Sequence, residues 1–284
     1  LRIFNFLINT NIYISLAAVA LTVETQLQLG MPPQWHPYLF IIFFATLFDY
    51  NLHRLVTVLT NKEALNSDKH KWLKEYLSLF YALVAFSVIG FIIAVFLAKK
   101  EVLITLSPFA LITLFYSLPI FKNQKYLFRL REIPFLKIFL ISIVWSATTI
   151  ILPIVQSGKS FDFLHVALML LERFLFVLAI TIPFDIRDMR GDEQSGLKTI
   201  PLVIGVKKSM VLANAFTVLF LIVSLLHYYN SAYFILFAFV LSAISTLFFL
   251  NSKILQKWSF YHYGILDGTM LLQGILVWIC YFLN

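Results

Sequence analysis

The chain has 284 residues, of which 61% are hydrophobic and only 13% charged, against about 25% charged in an ordinary soluble domain. This composition excludes a disordered chain, a collagen and a coiled coil, and it argues against a water-soluble globule, whose surface it could not cover. One cysteine, Cys280, excludes an intramolecular disulfide framework, and in so apolar a chain the net charge of +8 points to loops facing anionic lipid and not to nucleic acid.

A membrane-spanning helix needs about 20 mostly apolar residues. Nine stretches qualify, near 3–22, 37–57, 76–98, 102–121, 134–154, 163–184, 209–227, 231–250 and 264–283. The first opens on Arg2 and runs to Ala18-Val19-Ala20, a pattern shared with cleavable signal peptides. Asn5, Asn9 and Asn11 interrupt that run, and the alternation of loops needs it as a span. The loops after spans two, four and six carry most of the Lys and Arg. Among the basic residues only Lys99, Lys100 and Lys159 fall on the other side, and Arg173 lies within a span. The positive-inside rule then predicts a cytoplasmic N-terminus and a C-terminus on the opposite side. The expected fold is all-α: a single integral-membrane domain, 1–284, forming a polytopic helical bundle, with a faint hint of helical hairpins and no soluble domain or linker.

In chain order, the first polar group closes span two: Asp49-Tyr50-Asn51-Leu52-His53-Arg54. Asp49 and His53, at i and i+4, share a helical face. Ionisable groups at this depth face a bundle interior or a cavity; the plainer alternative is an interfacial cap with Arg54 snorkelling to headgroups. Pro153 and Pro183 read as span ends. Glu172 and Arg173, inside span six, point about 100° apart, so they cannot easily serve one partner. Arg173 is expected to meet an acid on another helix or to make a structural polar contact. His165 and His227 fall toward the outer side and are given no catalytic role.

Just beyond span six stand Asp185, Asp188 and Asp192, followed by Glu193. If the helix continues, the three aspartates sit at i, i+3 and i+7 on one face, where like charges repel. A divalent cation reverses the sign of that effect, and carboxylate oxygens suit Mg²⁺. The bland alternative is a solvated loop whose acids pair with Arg187, Arg190 and Lys198. Finally, Asp267 opens span nine, where it either reaches a cavity or, the slightly favoured reading, caps the helix.

These residues resemble the UbiA-type intramembrane prenyltransferases, a family with nine membrane helices and two aspartate-rich cytoplasmic motifs. The second motif reads Asp185-x-x-Asp188-x-x-x-Asp192, followed by Gly196, Lys198, Thr199, Pro201 and Gly205. Tyr116-Ser117-Leu118-Pro119 with Lys122 resembles the family's Tyr-x-x-Pro segment and its basic residue. The first motif departs: anchored on Arg54, the family's N/D-x-x-x-D-x-x-x-D reads Asp49, His53 and Thr57, leaving one carboxylate. A second register gives Ala45, Asp49 and His53. Neutral His53 could ligate a metal, although imidazole suits Zn²⁺ or Fe better than Mg²⁺; protonated His53 or Arg54 could instead contact diphosphate.

The resemblance implies transfer of an isoprenoid chain from a polyprenyl diphosphate to an aromatic or other lipophilic acceptor, with Mg²⁺ assisting loss of diphosphate. It implies that Asp185, Asp188 and Asp192 hold one Mg²⁺ and that Asp49, with Asn51 or His53, forms a weakened second metal site. Arg54, Lys122, Lys198, Asn51 and Tyr116 become diphosphate-binding candidates. The active site would face the cytoplasm and the chain's partners would be the donor, the acceptor and the bilayer, not nucleic acid. Two other readings stay open. A divergent member could bind isoprenoid lipids without transfer. A secondary transporter fits less well, because its site should lie near the bilayer midplane whereas these acids gather at one end.

Overall fold

The computed structural model describes residues 2–60, 68–117, 121–123 and 126–283. The chain folds into helices α1 (Arg2–Asn9), α2 (Ile12–Gln28), α3 (Pro37–Thr60), α4 (Asp68–Glu75), α5 (Leu77–Leu97), α6 (Lys100–Ser117), α7 (Leu136–Ser157), α8 (Phe163–Gln194), α9 (Ile200–Tyr228), α10 (Tyr233–Asn251) and α11 (Asp267–Leu283). Between α6 and α7 lie a short antiparallel ribbon, β1 (Phe121–Asn123) with β2 (Tyr126–Phe128), and a 3₁₀ turn, Leu130–Glu132. Among the described residues eight helices are long and apolar enough to cross a membrane, or nine when α1 and α2 count as one span bent by 79°. The molecule is thus the all-α, multi-pass bundle its hydropathy predicts. Most helices pack on a chain neighbour, α5 packs on α3 and α6 on α7, and α11 returns onto α2 to close the bundle.

The first span differs from its expected form. The apolar run breaks after Asn9 and resumes at Ile12 through Asn11, whose φ of 62° is left-handed. Asparagine tolerates that conformation better than most residues because its short side chain bonds locally. Here Asn11 Nδ2 donates to Asn51 Oδ1 at 2.9 Å, and Asn51 Nδ2 donates to the carbonyls of Thr10 and Leu47 at 3.0 and 2.8 Å. Arg54 completes the tie by donating to the carbonyl of Asn9 and to Asn11 Oδ1.

Three helix-end expectations are corrected. Pro183 does not end span six: α8 runs through it to Gln194. Proline removes one ladder hydrogen bond, and a helix flanked by α7 and α9 tolerates that loss. Pro153 likewise lies inside α7, near its end. Asp267 does not cap α11, because a π-helical turn, Tyr261–Leu266, leads directly into it. Helix α9 starts at Ile200, earlier than the apolar run suggests, and kinks at Gly205, whose φ of 79° suits glycine.

The largest core joins Ala17 and Leu21 of α2, Phe176 and Ile180 of α8, Phe220 of α9, Phe239 of α10 and Met270 of α11. Helices α5 and α6 instead present large apolar side chains outward, including Phe86, Ile89, Phe96 and Leu111, the exposure a lipid-facing helix shows.

Candidate functional site

The aspartates of the second motif lie on helix α8, as the i, i+3, i+7 spacing requires. At 100° per residue, Asp185 and Asp192 lie about 20° apart around the axis and Asp188 about 60° to one side. Their partners divide the same way. Asp185 and Asp192, 2% and 6% exposed, both meet Nζ of Lys137, at 2.9 and 3.1 Å. Asp188 takes both ends of the Arg187 guanidinium, at 2.7 and 2.9 Å. That guanidinium lies over the rings of Phe184 and Tyr263, at 5.1 and 4.7 Å.

Lys137 is positioned by the start of α7. Phe135, in the left-handed region at φ 65°, donates its N–H to the carbonyl of Lys198 at 2.9 Å and so ties the head of α7 to the α8–α9 loop. Gly196 turns that loop at φ 69°, and Leu197 N–H closes on the carbonyl of Asp192. The residues following the second motif therefore hold the lysine that faces it.

Across the site, α3 supplies Asp49 and His53. Ser117 Oγ donates to Asp49 at 3.4 Å. Arg131, from the 3₁₀ turn, meets Nε2 of His53 and lies 6.0 Å from the centre of the Tyr116 ring. A guanidinium can only donate, so Nε2 of His53 is the acceptor and its lone pair is engaged by a cation. The 3₁₀ turn that carries Arg131 packs against both α6 and α7, and α7 packs against α8, which joins the two halves of the site.

The other sequence candidates are placed as follows. Asn51 and Arg54 are committed to the kink between α1 and α2. Lys198 is exposed, and its carbonyl rather than its ammonium makes the structural contact. The side chain of Lys122, with Leu118 and Pro119, lies outside the described residues. Sequence reasoning missed Lys137, Arg131 and Arg187 as site residues and read them only as orientation signals or ion partners. Nothing in their spacing distinguishes them from the neighbouring lysines and arginines.

The donor set of the second motif fits a Mg²⁺ ion. Asp185 and Asp192 already converge on one cationic point, and Mg²⁺ takes one or two carboxylates plus substrate phosphates rather than a full protein cage. The residues around Asp49 do not fit one, because a single carboxylate remains and the neighbouring imidazole is engaged. Among the described residues no group of three or more His, Cys, Asp and Glu side chains is gathered closely enough to hold a metal unaided.

The chain matches the UbiA prenyltransferase family over residues 75–262. No curated protein matches it significantly. Its fold is similar to that of a UbiA homologue from Aeropyrum pernix K1, solved without ligand, with a TM-score of 0.64 at 14% identity over 95% of this chain and 97% of that one. It is also similar to a UbiA homologue from Archaeoglobus fulgidus, with a TM-score of 0.64 at 12% identity over 98% of both chains. The latter homologue has also been solved bound to DMAPP and Mg²⁺, and that structure has a TM-score of 0.59 at 12% identity over 98% of both chains.

Proposed function

Because the chain belongs to the UbiA prenyltransferase family, we propose that it transfers an isoprenoid chain from a polyprenyl diphosphate to an aromatic or other lipophilic acceptor within the membrane. The observation that carries this reading is the convergence of Asp185 and Asp192 on one cation, opposite Arg131 and Tyr116.

In the proposed reaction the allylic C–O bond of the donor breaks, its electron pair leaves with diphosphate, and the acceptor supplies the pair for the new bond to carbon and gives up its proton to the departing diphosphate. A Mg²⁺ ion held by Asp185 and Asp192, and by Asp188 once it exchanges Arg187 for the ion, would supply Lewis-acid stabilisation of the departing oxygens. Lys137, Arg131 and Arg187 stand around the same space as charge-assisted donors to those oxygens. The faces of Tyr116, Tyr263 and Phe184 favour the developing allylic cation, and the apolar bundle below keeps water from it. The acid-rich end faces the cytoplasm, where the basic loops lie, with the N-terminus on that side and the C-terminus opposite.

Purified full-length protein, given a prenyl diphosphate, Mg²⁺ and a lipophilic acceptor, is expected to release diphosphate and to lose that release in Asp188→Asn. Unchanged turnover in the variant would overturn the metal assignment. The poor fit of a metal around Asp49 favours a second reading, an isoprenoid-lipid binder that performs no transfer. Tight Mg²⁺-independent lipid binding without diphosphate release would select it.

A further inference from the structure

We infer that the guanidinium of Arg131 stands in for a metal ion on the first aspartate-rich motif, so that the site binds a prenyl diphosphate with a single divalent cation. This rests on the transferase reading above and specifies how its donor is held. Four observations carry it. Of the three motif positions on α3, only Asp49 is a carboxylate, and Ser117 donates to it. The Nε2 lone pair of His53, the electron pair a metal would need, accepts from Arg131. Asn51, the other oxygen donor of this stretch of α3, is tied to the kink of the first span. Arg131 itself is left incomplete: its Nε is buried without a hydrogen-bond partner, and among the described residues no carboxylate lies within ion-pair distance of it.

A divalent ion beside His53 would therefore meet a fixed guanidinium and only one carboxylate, an arrangement that repels it. A diphosphate meets the opposite. The unpaired Nε and the positive charge of Arg131 supply a donor and a counter-charge in the fork geometry that suits phosphate oxygens. Buried unpaired donors in native proteins are few, and each calls for a partner; here the partner is an anionic oxygen of the substrate. The exchange also explains the His at position 53, since a carboxylate there would claim Arg131 for itself.

The test uses the full chain in lipid nanodiscs with a non-hydrolysable geranyl thiodiphosphate and Mn²⁺, an ion countable by paramagnetic resonance. The wild type is expected to hold one Mn²⁺ per bound thiodiphosphate, a measurement that needs no variant. Arg131→Ala is expected to weaken thiodiphosphate binding by about tenfold or more, as loss of a charged hydrogen bond does, with the Mn²⁺ count unchanged, and Arg131→Lys should recover part of the affinity. His53→Asp combined with Arg131→Ala, which adds a carboxylate and removes the guanidinium, should admit a second Mn²⁺. Two Mn²⁺ ions in the wild type, or unaltered binding in Arg131→Ala, would overturn the inference while leaving transfer activity intact. The expected counts together with no turnover of prenyl diphosphates would overturn the transferase reading alone. Absence of any thiodiphosphate binding would overturn both.

Discussion

Arg173 is 2% exposed in the middle of α8, and its contacts cross to other helices. It donates to Glu24 Oε1 at 2.7 Å, Thr149 Oγ1 at 2.8 Å and the Leu21 carbonyl at 3.0 Å. Its neighbour Glu172 turns the other way, to His227 Nδ1 at 2.9 Å, and His227 in turn meets His165 at 2.7 Å. The angular argument from sequence separated the two charges correctly, but the identities of their partners were not legible, because periodicity places residues on faces and not faces against each other. Removing one member of so buried a pair strands the other charge, at a cost of about 3–5 kcal/mol. Arg173→Met should therefore lower the thermal unfolding midpoint sharply in detergent, and Arg173→Met combined with Glu24→Gln should recover much of the loss. A double variant no better than the single would refute the pairing argument. Lys137 makes a second residue-scale prediction. Its ammonium occupies the point on which Asp185 and Asp192 converge, so Lys137→Met leaves two carboxylates in mutual repulsion. Added Mg²⁺ should raise the unfolding midpoint of Lys137→Met more than that of the wild type. Equal shifts would mean that lysine and metal do not share those carboxylates.

Helices show where hydropathy is a good guide and where it fails. The apolar runs located every span that packs in the bundle, and the aspartate spacing anticipated the extension of α8 because a face repeats only if the helix goes on. The 79° break in the first span was hidden, since an averaged apolar run does not register a single left-handed residue. Proline misled at Pro183, where flanking helices outweigh the one missing hydrogen bond. The break rests on Asn11, so Asn11→Ala should lose both the left-handed tolerance and the bonds to Asn51 and Arg54. A cost of about 1–2 kcal/mol from the backbone alone is expected, and Asn11→Gly should be the milder variant in thermal melts. The closure of α11 on α2 is equally specific. A Cβ added at Gly274 would lie 2.7 Å from the carbonyl oxygen of Ala20, so Gly274→Ala must push two backbones apart, at about 1–3 kcal/mol. An unchanged melting midpoint would show that the two helices are free to separate.

At the scale of the whole molecule, the fold class and span number were legible because a bilayer imposes length and polarity on each helix separately. The composition of the site was legible only in part. The acids stood out against a charge-poor background, whereas the cations facing them lie in or beside stretches already rich in Lys and Arg. Orientation itself gives a direct prediction. In a Cys280→Ser background, Ser195→Cys in the α8–α9 loop should react with a membrane-impermeant thiol reagent from the cytoplasmic side, and Ser160→Cys before α8 from the opposite side. Both loop positions are exposed. The reverse pattern would invert the proposed topology.

The length of α8 has a consequence for how products part company. Its 32 residues extend about 48 Å at 1.5 Å each, well beyond the roughly 30 Å of hydrocarbon in a bilayer. The same rod that buries Phe176 and Ile180 in the core of the bundle is long enough to carry Asp185, Asp188 and Asp192 beyond that thickness. On the proposed reading, bond cleavage happens at a phase boundary. The hydrophilic fragment departs upward into water and the enlarged lipophilic one sideways into lipid, so partitioning itself pulls the two apart and opposes the back reaction.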